Sequence, residues 1–252
     1  TATPDVRIYA FLTEFDATIY IDTSGEALFK RGWRMDKGRA PLRENLAAGL
    51  VMLSGWKPNQ ALLDPMCGSG TIIIEAGLIA ANIPPGMNRG FAFEHYRGLD
   101  KTLWQKVKND VKIDKTQRAL YASDISAYAV EDIEQNLQRA GLPFAVAFEQ
   151  NNALDVMPPA KSGVMICNPP YGERIDVTTS NETSVFFKQW ADHLKQHYAG
   201  WNAYILTSDR DTPKYMRLSA SKKTPLFNGA LDCRLFEFKM VAGSARKEKP
   251  TA

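Results

Sequence analysis

The chain of 252 residues is long enough for one large domain or for a domain with an appendage, and its 44% hydrophobic and 23% charged residues are ordinary for a globular protein. The sequence contains no apolar run of membrane-spanning length and no signal-peptide pattern, and its three scattered cysteines exclude a disulfide framework or a cysteine-based zinc site. From these absences we expect a reduced, cytoplasmic protein without a membrane or metal partner. The net charge of +3 is only weak evidence for a polyanionic partner.

The first elements in the chain are two predicted strands. Residues 6–12 and 17–22 are rich in β-branched and aromatic side chains and are separated by a short turn, which predicts an antiparallel pair. Two strands do not form a stable domain alone, so we expect the pair to pack on another part of the protein.

From Pro41 onward, predicted helices and strands alternate. The first helix is predicted to begin at Pro41, with Leu46, Leu50 and Leu53 on one face. Further helices are predicted over 71–81, over 100–118 on Leu103, Val107 and Val111, up to Gly141 on Val130, Ile133 and Leu137, and through Val185, Phe186, Trp190 and Leu194. Strands are predicted at 61–64, 119–124, 144–150, 163–167 and 201–209, and the Asn-Gly step within 222–241 predicts a terminal hairpin.

This alternation predicts the fold class. Strands that alternate with helices of ten or more residues indicate βαβ units, and the terminal hairpin adds antiparallel strands at one edge. We therefore expect an α/β, doubly wound, mostly parallel seven-stranded sheet of the Rossmann-like kind, with an antiparallel C-terminal hairpin and a short N-terminal β segment.

The stretch DPMCGSGT, residues 64–71, places glycines between a predicted strand and a predicted helix. Glycines there allow a tight turn and a close approach of the backbone to a ligand, and the helix N-terminus suits a carboxylate or phosphate. The stretch matches neither the P-loop nor the dinucleotide pattern. A purely structural glycine turn is the alternative.

Two aspartates narrow the choice of ligand. Asp124, at the end of the strand LYASD, is placed to accept hydrogen bonds from ribose hydroxyls, although capping of the next helix is an alternative role. Asp64 is placed to orient the loop or to meet a ligand ammonium. A loop suited to a carboxylate and an aspartate suited to a ribose together indicate a nucleoside that carries an amino acid.

A second stretch, NPPYGER, follows the strand GVMIC. The two prolines fix the backbone and remove donors, so the carbonyls of Asn168 and Pro169 are held rigidly outward. With the Asn168 side chain they can hold a planar amino group, while Tyr171 offers a ring on which a base can stack. The alternative is a proline-rich turn that merely ends a strand.

Basic residues cluster between positions 30 and 43 around Trp33. The cluster consists of Lys30, Arg31, Arg34, Lys37, Arg39 and Arg43. A local basic cluster with an aromatic residue predicts contacts with phosphates, and the alternative is a solvated linker.

Together, DPMCGSGT and NPPYGER resemble the class I S-adenosylmethionine-dependent amino-methyltransferases. With PLRENLAAGL, Gly200–Trp201 and NGALDC, residues 40–241 resemble the THUMP-associated RNA guanine-N2 methyltransferases, closest to the bacterial enzymes acting on 23S ribosomal RNA. Residues 1–34 resemble the last strands of the THUMP region and its basic exit. The resemblance implies a methyltransferase domain over 35–242 and further THUMP and ferredoxin-like parts before residue 1. From its charged composition, the tail over 243–252 is expected to be disordered.

The resemblance also implies roles for individual residues. The methionine part of S-adenosylmethionine would lie against the loop residues Asp64, Pro65, Met66, Cys67, Gly68, Gly70 and Thr71. Asp124 would hold the ribose, and Asn152 with Ala153 would meet the adenine, where the family often has an aspartate. Asn168, Pro169, Pro170 and Tyr171 would bind the target amine, and Asn168 also borders the cofactor. Glu173 and Arg174 complete the motif.

The expected reaction is direct methyl transfer to an exocyclic nitrogen, in which positioning supplies much of the rate. Cys167 has no histidine nearby in sequence and is interpreted as a buried small side chain, and the pair His193 and His197 lacks a zinc-protease pattern. Other acceptors remain open: a tRNA guanine, adenine N6 in DNA, or a protein glutamine. A non-catalytic RNA-binding module also remains open.

Overall fold

Strands and helices alternate along most of the chain. The computed structural model describes residue 4 and residues 6–34, 42–170 and 180–242. The strands are β1 (Ile8–Leu12), β2 (Ala17–Ile21), β3 (Ala61–Asp64), β4 (Leu120–Asp124), β5 (Ala147–Gln150), β6 (Gly163–Cys167), β7 (Trp201–Thr207), β8 (Lys222–Asn228) and β9 (Leu231–Lys239). The α-helices are α1 (Glu44–Leu53), α2 (Thr71–Ala80), α3 (Lys101–Asn109), α4 (Ala127–Ala140), α5 (Ser180–His197) and α6 (Thr212–Met216), and Ala92–His95 forms a 3₁₀ turn.

The main sheet has the predicted architecture. Within the described ranges it contains seven strands in the order β5-β4-β3-β6-β7-β9-β8. The strands from β5 to β7 are parallel, whereas β9 runs antiparallel to both β7 and β8. Asn228 and Gly229, which has a φ of +64°, form the turn of the terminal hairpin. The predicted fold class is confirmed.

Helices cover both faces of this sheet, which explains why its central strands are apolar throughout. Leu62 of β3 packs with residues of α1, α2 and α4, whereas the next residue, Leu63, packs with Trp190 and Leu194 of α5. All residues of β3 and β6 are buried. Such strands read as continuous apolar runs because neither face meets water.

The central strand β3 also fixes where a ligand can bind. It lies between β4 and β6 and runs parallel to both, so the carboxyl ends of the three strands share one edge. The chain passes from β3 to one side through β4 and to the other side through β6, which makes this edge the switch point of the sheet. Asp64, Asp124 and Asn168 end these strands or follow them directly.

Two predicted helices differ from the observed ones. Helix α1 begins at Glu44 and not near Pro41, because Arg43 is still extended, and Leu53 at its end is 41% exposed. Pro41 itself lies outside the described residues. Helix α3 ends at Asn109, nine residues before the predicted end at 118, and its apolar residues Leu103 and Val107 are exposed.

Helix α3 is held by one aromatic side chain and not by the predicted apolar stripe. The Trp104 ring meets Phe93 edge to face, with ring centroids 5.0 Å apart, and also contacts Phe91. The short helix α6 was not predicted, because five residues show no helical periodicity. Among the described helices, none is both long and apolar enough to cross a membrane.

The N-terminal hairpin pairs as predicted. Strands β1 and β2 are antiparallel, with Ile8 opposite Ile21, and form a separate two-stranded sheet whose residues are all exposed. After the hairpin, the chain docks on the main domain. Trp33 is buried against Ile74 and Leu78 of α2, so residues 31–34 pack on the domain that carries the ligand edge. The domain boundary after residue 34 stays a prediction.

Candidate active site

The glycine loop, defined as residues 65–70, connects β3 to α2 and is held by its neighbours. The Cys67 N–H donates to the Ser123 carbonyl (3.0 Å), and the Gly68 N–H donates to Asp124 Oδ2 (2.9 Å). The buried Asn136 of α4 donates through Nδ2 to the Ser69 carbonyl (3.0 Å). These bonds fix the loop from β4 and α4, so its shape is set before any ligand arrives.

Gly70 gives this loop its turn into α2. Its φ of +80° lies in the left-handed region, and a Cβ at this position would stand 2.4 Å from Ile133 Cγ1 of α4. No side chain among the described residues caps α2, whose first-turn N–H groups have no partners within the helix. The helix start therefore presents donors and a partial positive charge, which suit a carboxylate.

We expect Gly70→Ala to destabilise the fold by about 2–4 kcal/mol through backbone strain and overpacking, and to abolish cofactor binding. The measurements are thermal unfolding and ligand titration. Gly141→Ala is the matched control, since Gly141 has a φ of +64° but nothing within 4 Å of its Cβ position. Ile133→Ala, which removes a buried core side chain, should cost less stability in the Gly70→Ala background than in the unaltered protein, and an equal cost in both would contradict the role given to this contact.

Asp64 is a carboxylate buried at the end of β3. It is 1% exposed, and its Oδ1 accepts a hydrogen bond from the Met66 N–H (3.3 Å). Burial raises its pKa well above the usual range, and the nearby charge of Asp124 adds to the rise. A buried carboxyl disfavours its charged form unless a cation lies beside it, so Asp64 suits a ligand ammonium.

Asp124 bridges two backbone segments at the end of β4. Its Oδ2 accepts from Gly68 N–H (2.9 Å), and its Oδ1 accepts from Ser126 N–H (3.0 Å). A carboxylate has about four lone-pair positions, so each oxygen can still accept from one hydroxyl. Ile125, the next residue, is 66% exposed and was missed in the sequence analysis. Ile125 places an apolar surface beside Asp124. Its position could have been noticed in the sequence, because a hydrophobic residue directly follows the aspartate at the end of a strand.

Asn152 and Ala153 lie in the segment between β5 and β6. Asn152 Oδ1 accepts the Leu154 N–H (3.0 Å), and Ala153 is buried. The segment is anchored to α5 and to the residue after it, because the Val156 carbonyl lies 2.8 Å from His193 Nε2 and 2.6 Å from the Tyr198 hydroxyl that donates to it. Because the Asn152 side-chain oxygen already accepts the Leu154 N–H, the group of Asn152 that is left to bind a ligand is its NH2, which can donate.

Asn168 follows β6 at the same edge. Its Oδ1 is buried and has no hydrogen-bond partner among the described residues. Leaving a buried acceptor unpaired costs about 1–3 kcal/mol, so such an atom calls for an explanation. Pro169 is buried and Pro170 is exposed, whereas Tyr171, Glu173 and Arg174 lie outside the described residues.

The basic cluster is divided by the structure. Arg31 and Arg34 form buried ion pairs with Glu75 and Glu44, and Lys30 pairs with Glu26 on the surface. The guanidinium of Arg43 lies 5.0 Å from the centroid of the Phe29 ring, and Lys37 and Arg39 lie outside the described residues. Arg31 and Arg34 thus have intramolecular partners, which the sequence analysis did not foresee.

The remaining reactive side chains, among the described residues, supply neither an activated thiol nor a metal site. Burial raises the pKa values of the Cys67 and Cys167 thiols, which disfavours thiolates at both positions. The rings of His193 and His197 lie 4.8 Å apart. The described part of the chain contains no group of three or more His, Cys, Asp or Glu side chains that could hold a metal ion.

Residues 31–237 match the family described as UPF0020, RMKL-like, methyltransferase domain. The chain belongs to this family. The edge of the sheet that carries the glycine loop, Asp124 and Asn168 lies within the matched range. The site described above is therefore the candidate active site of an RMKL-like methyltransferase domain.

Individual relatives of the RMKL-like domain agree with this assignment. The chain is 39% identical over 254 residues to ribosomal RNA large subunit methyltransferase K/L of Shewanella oneidensis, and 42% identical over 255 residues to the protein of that name from Shewanella amazonensis. These matches cover 98% of the chain but only 35% and 36% of the relatives. The chain spans about a third of the length of these curated relatives.

A solved structure also superposes on the RMKL-like domain. The structure of SMU.472 complexed with SAH, S-adenosylhomocysteine, has a TM-score of 0.87 and 34% sequence identity. The superposition covers 95% of this chain and 63% of SMU.472. The likeness therefore extends through the main sheet of this chain.

Proposed function

We propose that this RMKL-like domain transfers a methyl group from S-adenosylmethionine to the exocyclic N2 of a guanine in RNA, with 23S ribosomal RNA as the substrate. The observation that carries the proposal is the buried, unpaired Oδ1 of Asn168, which lies at the same sheet edge as the glycine loop and Asp124. The names of the Shewanella relatives favour ribosomal RNA over other acceptors. Action on ribosomal RNA would place the protein in the cytoplasm.

The residues present fit the proposed cofactor. The uncapped start of α2 would bind the methionine carboxylate, and Asp64 would attract the ammonium group. Asp124 would accept from the ribose hydroxyls, with Ile125, Asn152 and Ala153 beside the adenine. When bound, S-adenosylmethionine supplies an electrophilic methyl group on its sulfonium.

The target-amine site would act mainly through position. Asn168 Oδ1 and the carbonyl that Pro169 holds in place would accept hydrogen bonds from the guanine amino group and fix its orientation. As positive charge develops on the nitrogen, these oxygens would stabilise it, in the same way that fixed donors stabilise a developing oxyanion. The methylated nitrogen is acidic enough to lose its proton to water, so a strong base is not needed. A role for Tyr171 in stacking on the base is part of the proposal.

The basic surface would contribute to RNA binding through its exposed members. Lys30 is half-exposed and Arg43 is exposed, so both remain available to phosphates. Arg31 and Arg34 are proposed to act inside the protein instead. Lys37 and Arg39 stay in the proposal on their sequence positions alone.

The test is to incubate the protein with S-adenosylmethionine and, in separate reactions, undermodified ribosomal RNA, tRNA and DNA, and to identify methylated nucleosides by mass spectrometry. We expect N2-methylguanosine from ribosomal RNA only. N2-methylguanosine from tRNA, or N6-methyladenine from DNA, would replace the proposed substrate. Cofactor binding without any product would support a non-catalytic RNA-binding module, and absence of cofactor binding would overturn the proposal.

A further inference from the structure

Four charged side chains are buried together where residues 31–34 meet α1 and α2. Arg31 Nε lies 3.2 Å from Glu75 Oε1, and Arg34 Nε lies 3.1 Å from Glu44 Oε1. None of the four side chains is more than 10% exposed. Because the two positive and two negative charges balance, the cluster is neutral as a unit.

The two arginines use their donors differently. Arg31 donates to one carboxylate and to one nearby carbonyl, since its Nη2 also donates to Glu75 Oε2 (3.3 Å) and its Nη1 donates to the Leu28 carbonyl (2.8 Å). Arg34 distributes its donors, because its Nη2 contacts the Leu42 carbonyl (3.2 Å) and the Thr71 hydroxyl oxygen. Only the second arginine therefore reaches the start of α2.

The contact with Arg34 constrains the hydroxyl of Thr71. A guanidinium has no acceptor, so Thr71 Oγ1 must accept from Arg34, and its own proton must point elsewhere. Thr71 is the first residue of α2, follows the left-handed Gly70 and is 4% exposed. Its hydroxyl proton is thus available beside the first-turn N–H groups of the helix.

We propose that Arg34 is a positioning residue for the cofactor carboxylate: it holds the Thr71 hydroxyl so that the hydroxyl donates to that carboxylate. The inference rests on the proposed function, because it assumes that the methionine part lies at the start of α2. It gives a buried residue of the segment before α1 a role in cofactor affinity. Arg34 itself does not contact the reacting atoms.

The test uses Arg34→Lys and two ligands, S-adenosylhomocysteine and 5′-methylthioadenosine, which lacks the amino and carboxylate groups. Lysine keeps the positive charge beside Glu44, but its single ammonium lacks the fork that serves Glu44 and Thr71 together. We expect about tenfold weaker binding of S-adenosylhomocysteine, equivalent to about 1.4 kcal/mol. The affinity for 5′-methylthioadenosine should not change.

A double-mutant cycle with Thr71→Val locates the effect. If Arg34 acts through the hydroxyl, Thr71→Val should weaken S-adenosylhomocysteine binding to a similar degree, and the double variant should be no weaker than either single variant. Additive losses would overturn the inference. The matched control is Arg31→Lys, which disturbs the Glu75 pair but does not touch α2's first residue, and it should leave both affinities unchanged.

The remaining outcomes separate the inference from the proposed function. If Arg34→Lys folds but its affinities for both ligands fall equally, Arg34 only supports the fold. If both affinities are unchanged, Arg34 does not position the carboxylate site. Either result overturns the inference. If the unaltered protein binds 5′-methylthioadenosine and S-adenosylhomocysteine equally, the carboxylate subsite is wrong, and if it binds neither, the proposed function itself fails.

Discussion

Replacement of Asn168 with alanine is expected to slow methyl transfer by roughly 10²–10³-fold, the range seen when a fixed group that stabilises transition-state charge is removed. The alanine variant lacks the buried Oδ1, which has no partner among the described residues. The affinity for S-adenosylhomocysteine should fall much less than the rate, because the carboxylate and ribose contacts remain. The measurement is single-turnover methylation of ribosomal RNA combined with ligand titration.

The effect should be specific to this asparagine. Asn109→Ala is a suitable control because Asn109 is exposed at the end of α3 and belongs neither to the glycine loop nor to the ends of β3, β4 and β6. It should transfer methyl groups at the rate of the unaltered protein. Full activity of Asn168→Ala would remove the amine-holding role from Asn168, and an equal loss of rate and cofactor affinity would assign this residue to cofactor binding alone.

Replacement of Asp64 with asparagine is expected to stabilise the fold and to weaken the cofactor site. The carboxylate is 1% exposed, so its charge is unfavourable in the folded state without a ligand. Asparagine retains an oxygen for the Met66 N–H while removing the charge. We expect the free energy of unfolding at pH 7 to rise and the affinity for S-adenosylhomocysteine to fall by about tenfold, equivalent to about 1.4 kcal/mol of binding free energy.

The pH dependence of stability gives a sharper test of Asp64. Its folded pKa is raised above the ordinary value of 3.8, so the folded state binds the proton more tightly than the unfolded state. This contribution to stability is fully present below pH 3.8 and is lost as the pH rises through the folded pKa. The stability advantage of Asp64→Asn should therefore grow as the pH rises above 3.8, as denaturant unfolding at several pH values can show.

An exposed aspartate provides the comparison. Asp110→Asn, at the C-terminal end of α3, should change the free energy of unfolding by no more than about 0.5 kcal/mol. A fall in stability of Asp64→Asn at neutral pH would mean that the charge of Asp64 is compensated in the folded state. That result would also weaken its assignment to a ligand ammonium.

The ligand edge was predictable because strand ends carry a local signal. Asp64, Asp124 and Asn168 each follow a short apolar run, and the βαβ pattern brings the ends of such runs to one edge. The Asn228–Gly229 turn was predictable for a similar reason, since these residue types specify the turn geometry. Short-range sequence signals were therefore sufficient to predict the strands of the sheet, the antiparallel terminal hairpin and the residues along the ligand edge.

The buried charges were not predictable because their partners are distant in sequence. Arg31 and Glu75 are separated by 44 positions, and Arg34 and Thr71 by 37, so the basic cluster read as a surface. The prediction for α3 was wrong in its length and in its packing face, although the signal here was local. Its Leu103–Val107 spacing is a sound helical signal, but the side chain that docks the helix is Trp104, whose aromatic partners precede the helix.

The position of β3 has a consequence for the order in which the protein is made. The glycine loop follows a strand whose two neighbours, β4 and β6, are both translated later, and β6 ends at Cys167. A nascent chain that has emerged only as far as β5 leaves one side of β3 unpaired. About a hundred residues must therefore follow the glycine loop out of the ribosome before its strand is enclosed, so cofactor capture is expected to be a late event in biosynthesis.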